Sequence, residues 1–250
     1  MLELLFSALP ELIALTPVLL IGLLPPALLV MLALSMGNTT QIRRAVRAMG
    51  EGCDPEPLLT LSMKTLKRYG GSRNPRHRNL LFSAHINAAT ALYNLGRFEE
   101  ALAHLDRPGL EGYPLPSQAV CLLNRAAVYC DMERPDAMED ALTRAEGLIR
   151  TPSFPQNQRQ AFASICHSDR LALEMLQNGP TPELEAAYQS LLLQAGGESQ
   201  RVGIRLQLAK CALARGDSAA AREYLEYIKA HGNKLFTRQR AEDLLSTMDH

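Results

Sequence analysis

The chain has no net charge: 26 Lys and Arg balance 26 Asp and Glu over 250 residues. Without a basic excess it lacks the electrostatic footprint of a nucleic-acid binder, and that class is set aside. Tryptophan is absent. No phosphate-binding glycine loop, His-Glu-x-x-His, Cys-x-x-Cys or nucleophile elbow occurs, so no catalytic site, metal or cofactor is expected and the chain is not read as an enzyme. His167 and Asp169 lie two apart and point to different sides of a helix. The five cysteines, an odd number without tight spacing, exclude a disulfide framework. Cys121, Cys130 and Cys166 fall in helical patterns, where buried inert thiols are expected.

Charge is also missing locally. No charged residue occurs from Leu12 to Ile42. Leu12–Met36 is nearly all apolar, and about 20 helical residues span a bilayer core. Pro17, Pro25 and Pro26 interrupt it, which leaves a kinked single span or a re-entrant segment. The start carries Glu3 and Glu11 and no Lys or Arg, which favours a retained transmembrane anchor over a cleaved signal peptide. Arg43, Arg44 and Arg47 follow the span, and positive charge stays on the cytoplasmic side. The expectation is a single-pass cell-membrane protein with its repeats in the cytoplasm.

Residues 37–80 hold nine basic residues against three acids. The three arginines are either a topology signal on a solvated helix face or a contact for anionic lipid. Thr39–Met49 and Pro55–Tyr69 are predicted as a degenerate helix pair ended by Gly70 and Gly71. The predicted organisation is an anchor over 1–38, basic juxtamembrane helices over 39–76 and a helical repeat domain over 77–250.

That domain repeats at a fixed spacing. Ala89, Ala126, Ala172 and Ala209 are separated by 37, 46 and 37 residues. Three residues on come Leu92, Tyr129, Met175 and Ala212. The turn position holds Gly96, Glu133, Gly179 and Gly216. A second helix then presents Ala101, Met138, Leu184 and Ala221, followed four later by Leu105, Leu142, Tyr188 and Leu225. The long step is assigned to a loop around Arg150–Asn157, where two prolines fall. Thr237–Met248 is predicted as a capping helix with Ala241, Leu244, Leu245 and Met248 inward.

The stretch Asn87–Leu105, with small Ala89, large Leu92, the Gly96 turn and the Phe98, Ala101 and Leu105 stripe, resembles the tetratricopeptide repeat. The chain departs from it in a longer period, and in His85, Leu122, Ser168 and Arg205 where the family has an aromatic. The resemblance implies an all-α, right-handed superhelix whose concave surface binds a peptide or a partner helix. It implies a groove lined by Ile86, Asn87, Thr90, Tyr93 and Asn94 in the first copy. Leu123, Asn124, Ala127, Cys130 and Asp131 follow in the second, with Arg170 and Lys210 further along. Asn87 and Asn124 match the position where some members hold a peptide backbone. The implied function is a membrane-anchored protein-binding scaffold. A structural subunit of a membrane complex and a secreted or periplasmic interaction protein are the alternatives.

Overall fold

The computed structural model describes residues 39–249 apart from 73, 75, 76 and 108. The expected span over Leu12–Met36 lies outside the described residues. Among those described, no helix is long and apolar enough to cross a membrane. They form eleven α-helices and no strand.

The helices come in pairs. The first is α1 (Thr39–Gly52) with α2 (Glu56–Tyr69). The four expected copies follow as α3 (Arg78–Asn94) with α4 (Phe98–Asp106), and α5 (Leu115–Asp131) with α6 (Pro135–Arg150). Next come α7 (Gln156–Asn178) with α8 (Pro182–Gln194), and α9 (Glu198–Ala214) with α10 (Ser218–His231). Helix α11 (Phe236–Met248) is last.

The small and large register positions explain the packing. Ala89, Ala126, Ala209, Ala101 and Ala221 are buried, so helix axes approach closely there. Leu105, Leu142, Tyr188 and Leu225 are buried one turn further along the second helices. The largest core cluster runs from Phe82 to Leu173 and joins α3 through α7.

Gly96, Glu133, Gly179 and Gly216, the four predicted turn positions, all adopt positive φ, between 56° and 80°. In three turns the same two bonds recur. Arg97, Arg134 and Asp217 donate their N–H groups to Leu92, Tyr129 and Ala212. Gly96, Glu133 and Gly216 donate to Tyr93, Cys130 and Leu213. This pair of bonds satisfies carbonyls that a helix end leaves open. Glu133, at φ 56°, is the one position of the four that carries a Cβ in this region. Glu133→Gly is expected to stabilise the fold by about 0.5–1 kcal/mol, read from urea denaturation, because it removes left-handed strain. An unchanged midpoint would mean that the strain is already relaxed.

One expectation is corrected. The long step is not a loop insertion: only residues 151–155 separate α6 from α7, and α7 runs 23 residues where α3, α5 and α9 run 17. Phe154 is buried edge-on against Phe162 at 5.1 Å, and Arg159 donates to the Thr151 and Phe154 carbonyls. These contacts hold the turn short, and Pro155 at φ −57° leads into the helix.

The two ends of the described array meet. Asn233 donates to the Gly52 carbonyl at 2.8 Å, and Lys234 pairs with Asp54 and Glu56 at 3.1 and 2.7 Å. Cys53 is buried with Val202, Leu206 and Leu235 in one cluster. The first pair therefore packs against the last helices, and the concave side becomes an interior. Helix α11 buries Ala241 and Leu245 as expected. It also carries Phe236 against Tyr93 and Phe98, at ring distances of 5.7 and 5.2 Å.

Candidate functional site

One consecutive pair departs from the rest. The α7 and α8 backbones stand apart, whereas the other consecutive helices pack closely. Leu184 and Tyr188 occupy positions that small or shorter residues hold in the first and fourth copies. Met175, Leu184, Tyr188, Ile204 and Leu208 fill much of the gap.

A partly enclosed cavity of about 170 Å³ remains beside it. Its walls come from α3 (Thr90, Tyr93, Asn94), α5 (Ala127, Cys130, Asp131) and α7 (Ser168, Asp169, Ala172). Tyr188 and Leu191 of α8, several α9 residues including Gly203, Ile204 and Gln207, and Phe236 of α11 complete it. Most of this lining is apolar.

The polar groups are few and unevenly satisfied. Tyr93 donates its hydroxyl to the Asp131 Oδ2 at 2.6 Å. Burial pushes the Asp131 carboxyl above its ordinary range, although this hydrogen bond acts the other way. Burial, then the Asp131 charge, likewise pushes Tyr93 upward. Asp169 is 5 % exposed, and burial alone lifts its carboxyl to about 8. The Tyr188 hydroxyl is buried without a hydrogen-bond partner among the described residues. Burial also raises Cys130 to about 12, so its thiol stays protonated and unreactive at neutral pH.

Thr90, Tyr93, Asn94, Ala127, Cys130 and Asp131 thus meet in one place, as the groove expectation brought them together. The remaining groove residues lie elsewhere. Ile86 and Leu123 are fully buried among apolar neighbours in the main core, because their apolar area is best removed from water there. Asn87 is buried at 5 % exposure and does not line the cavity.

Asn124 is also buried, and its amide is spent internally. Its Nδ2 donates to the Val120 carbonyl and its Oδ1 accepts from the Thr90 hydroxyl, at 2.9 Å each. It ties α3 to α5 and has no free group for a peptide backbone. Asn124→Ala is expected to cost about 1–3 kcal/mol of stability by urea denaturation, the cost of an unmade buried hydrogen bond. A parent-like midpoint would sink this structural role. Arg170 forks onto Glu146 of α6 at 2.8 and 3.1 Å. Lys210 is exposed and outside the lining.

His85, at a packing position, is half-buried, with its Nδ1 3.0 Å from that of His104. Burial lowers it to about 4, so it is neutral at pH 7. Among the described residues no group of three or more His, Cys, Asp or Glu is arranged to hold a metal ion.

Asp169 and Tyr188 were not anticipated as site residues, yet the register contains their signal. Asp169 stands three residues before Ala172, where the other copies hold Ile86, Leu123 and Leu206, all buried. Tyr188 stands where the others hold Leu105, Leu142 and Leu225. The third copy has thus replaced two buried apolar positions with groups that need partners.

The tetratricopeptide repeat family matches residues 83–107 and 202–226. These segments are the α3–α4 and α9–α10 pairs, and each contains its predicted small residue, Ala89 or Ala209. The two matches and the all-helical array support repeats of the tetratricopeptide kind. Repeats of this kind generally mediate protein–protein interaction. No curated protein and no solved structure matches the chain.

Proposed function

We propose that the chain is a helical-repeat scaffold that receives a segment of a partner protein at the inner cavity. The observation that carries this reading is the cavity itself, walled by first-helix residues of successive repeats. Such surfaces are where stacked helix pairs bind other chains. Among the described residues the cysteines are buried or half-buried thiols.

The scaffold is tethered to a membrane through Leu12–Met36. Support comes from the uncharged run to Ile42, and from Arg43, Arg44 and Arg47, which are exposed on α1. Positive charge beside a span favours the cytoplasmic side for the repeats.

The test is site-specific photo-crosslinking in intact cells. A photoreactive residue at Gln207, on the cavity wall, is expected to give one discrete polypeptide adduct in the membrane fraction. The same group at exposed Glu223 on α10 is expected to give none. Equal adducts from both positions would overturn the cavity as the binding site. Release of the protein by carbonate washing would overturn the tether.

A further inference from the structure

The cavity described above holds two carboxyls that no described residue pairs with as an ion. Asp169 and Asp131 both line it. No ion pair among the described residues involves either carboxyl. Lys210 and Arg240 act on Asp131 only through space, and both are exposed. Asp131 accepts only the Tyr93 hydroxyl, and the Tyr188 hydroxyl, 4 % exposed, has no partner among the described residues. A buried acceptor set of this kind is costly unless something completes it.

Size limits what that is. About 170 Å³ lies below the roughly 300–1,000 Å³ of ordinary small-molecule pockets. It suits one long side chain better than a cofactor. Ala127, Ala172, Leu191 and Ile204 supply apolar wall for a methylene stem, as basic side chains require. Residues 1–38 contain no Lys or Arg, so the chain's own N-terminal segment brings no basic side chain to the site.

We infer that the cavity is a socket for a basic side chain of the partner, a lysine or arginine whose cationic head meets Asp169 and Asp131 while Tyr188 accepts a further N–H. This rests on the reading of the cavity as the partner-binding site. The ligand stem lies against the apolar wall and the head replaces water around the two carboxyls.

A proton should leave on binding. Unoccupied, Asp169 holds its proton at pH 7, because burial raises it to about 8. Its surroundings are Tyr93 of α3, Cys130 of α5, Cys166 on its own helix and Tyr188 of α8, with Asp131 of α5 lining the same cavity. Lys210 of α9 and Arg240 of α11 act on Asp131 beyond it. The cysteines and tyrosines are shifted upward and stay neutral, so Asp169 is the group that ionises as the cation arrives. Affinity for a cation should therefore rise with pH up to about 8.

The experiment titrates the full chain in lipid nanodiscs with Nα-acetyl-lysine methylamide, followed by calorimetry. Nα-acetyl-norleucine methylamide, equal in stem and uncharged, is the control. The lysine compound is expected to bind at least about tenfold more tightly, and to gain at least about tenfold between pH 6 and pH 8. Asp169→Asn is expected to weaken it by about ten- to a hundredfold, and Tyr188→Phe by about threefold to tenfold. Both variants keep the shape of the site. Equal binding of the two amides, or parent-like lysine binding by both variants, overturns the socket. The Gln207 adduct is scored with Asp169 and Tyr188 intact and no amide added, so it judges the scaffold separately.

Discussion

Asp169→Asn is expected to stabilise the protein at pH 9 by at least about 2 kcal/mol and to change little at pH 4. The folded carboxyl titrates near 8 against an ordinary value of 3.8. Between those values the native state keeps a proton that the unfolded chain has released. Stability therefore falls as pH rises through this window, and above it the folded protein carries a buried, unpaired carboxylate. Asparagine does not ionise, so the variant escapes the loss. His85 works in the opposite sense: its value is lowered to about 4 from 6.5, so it contributes stability that is lost as pH falls through that range. Both proteins share His85, and its effect cancels in the comparison. Urea denaturation of parent and variant at pH 4 and pH 9 decides the matter. Parallel shifts across pH would show that Asp169 is already ionised or solvated in the fold.

Gly96→Ala is expected to destabilise by about 2–4 kcal/mol, against about 1–2 kcal/mol for Gly216→Ala. The two glycines make the same turn, at φ 74° and 80°. An added Cβ at Gly216 meets nothing within 4 Å, whereas at Gly96 it falls 2.9 Å from the Phe236 Cβ. The left-handed penalty is common to both. The difference reports the seating of α11 on the first full repeat. Equal losses in urea denaturation would mean that α11 yields without cost and that this contact is slack.

The repeat was legible because its positions are local. Ala89, Leu92, Gly96 and Ala101 sit within one helix pair, so helical periodicity and turn chemistry alone specify how they meet. The same rule located the turn at Glu133, where no glycine marks it. Of the residues expected to line a groove, only part meet at one cavity. The resemblance brought Tyr93 and Asp131 together, but periodicity does not say which of two adjacent helix faces is interior. Ile86, Leu123 and Asn124 turned inward because both flanking helices press on α3 and α5. The α7 extension is hidden in the sequence because prolines at 152 and 155 carry the signature of a loop, although Pro155 precedes a helix start that tolerates it. The contact of Asn233 with Gly52 left no trace in the sequence, since no spacing rule links residues so far apart.

That contact alters how the molecule should come apart. In an open array each repeat leans only on its neighbours, so the terminal units melt first and unfolding runs inward. Here Lys234 grips Asp54 and Glu56, and Cys53 shares a cluster with Leu235. Neither terminal pair is free to fray. Loss of either one removes support from the other, so residues 39–249 should behave as one cooperative unit. Bringing such distant segments together also carries a loop-closure cost, which makes the joining of the ends a late and slow event in folding.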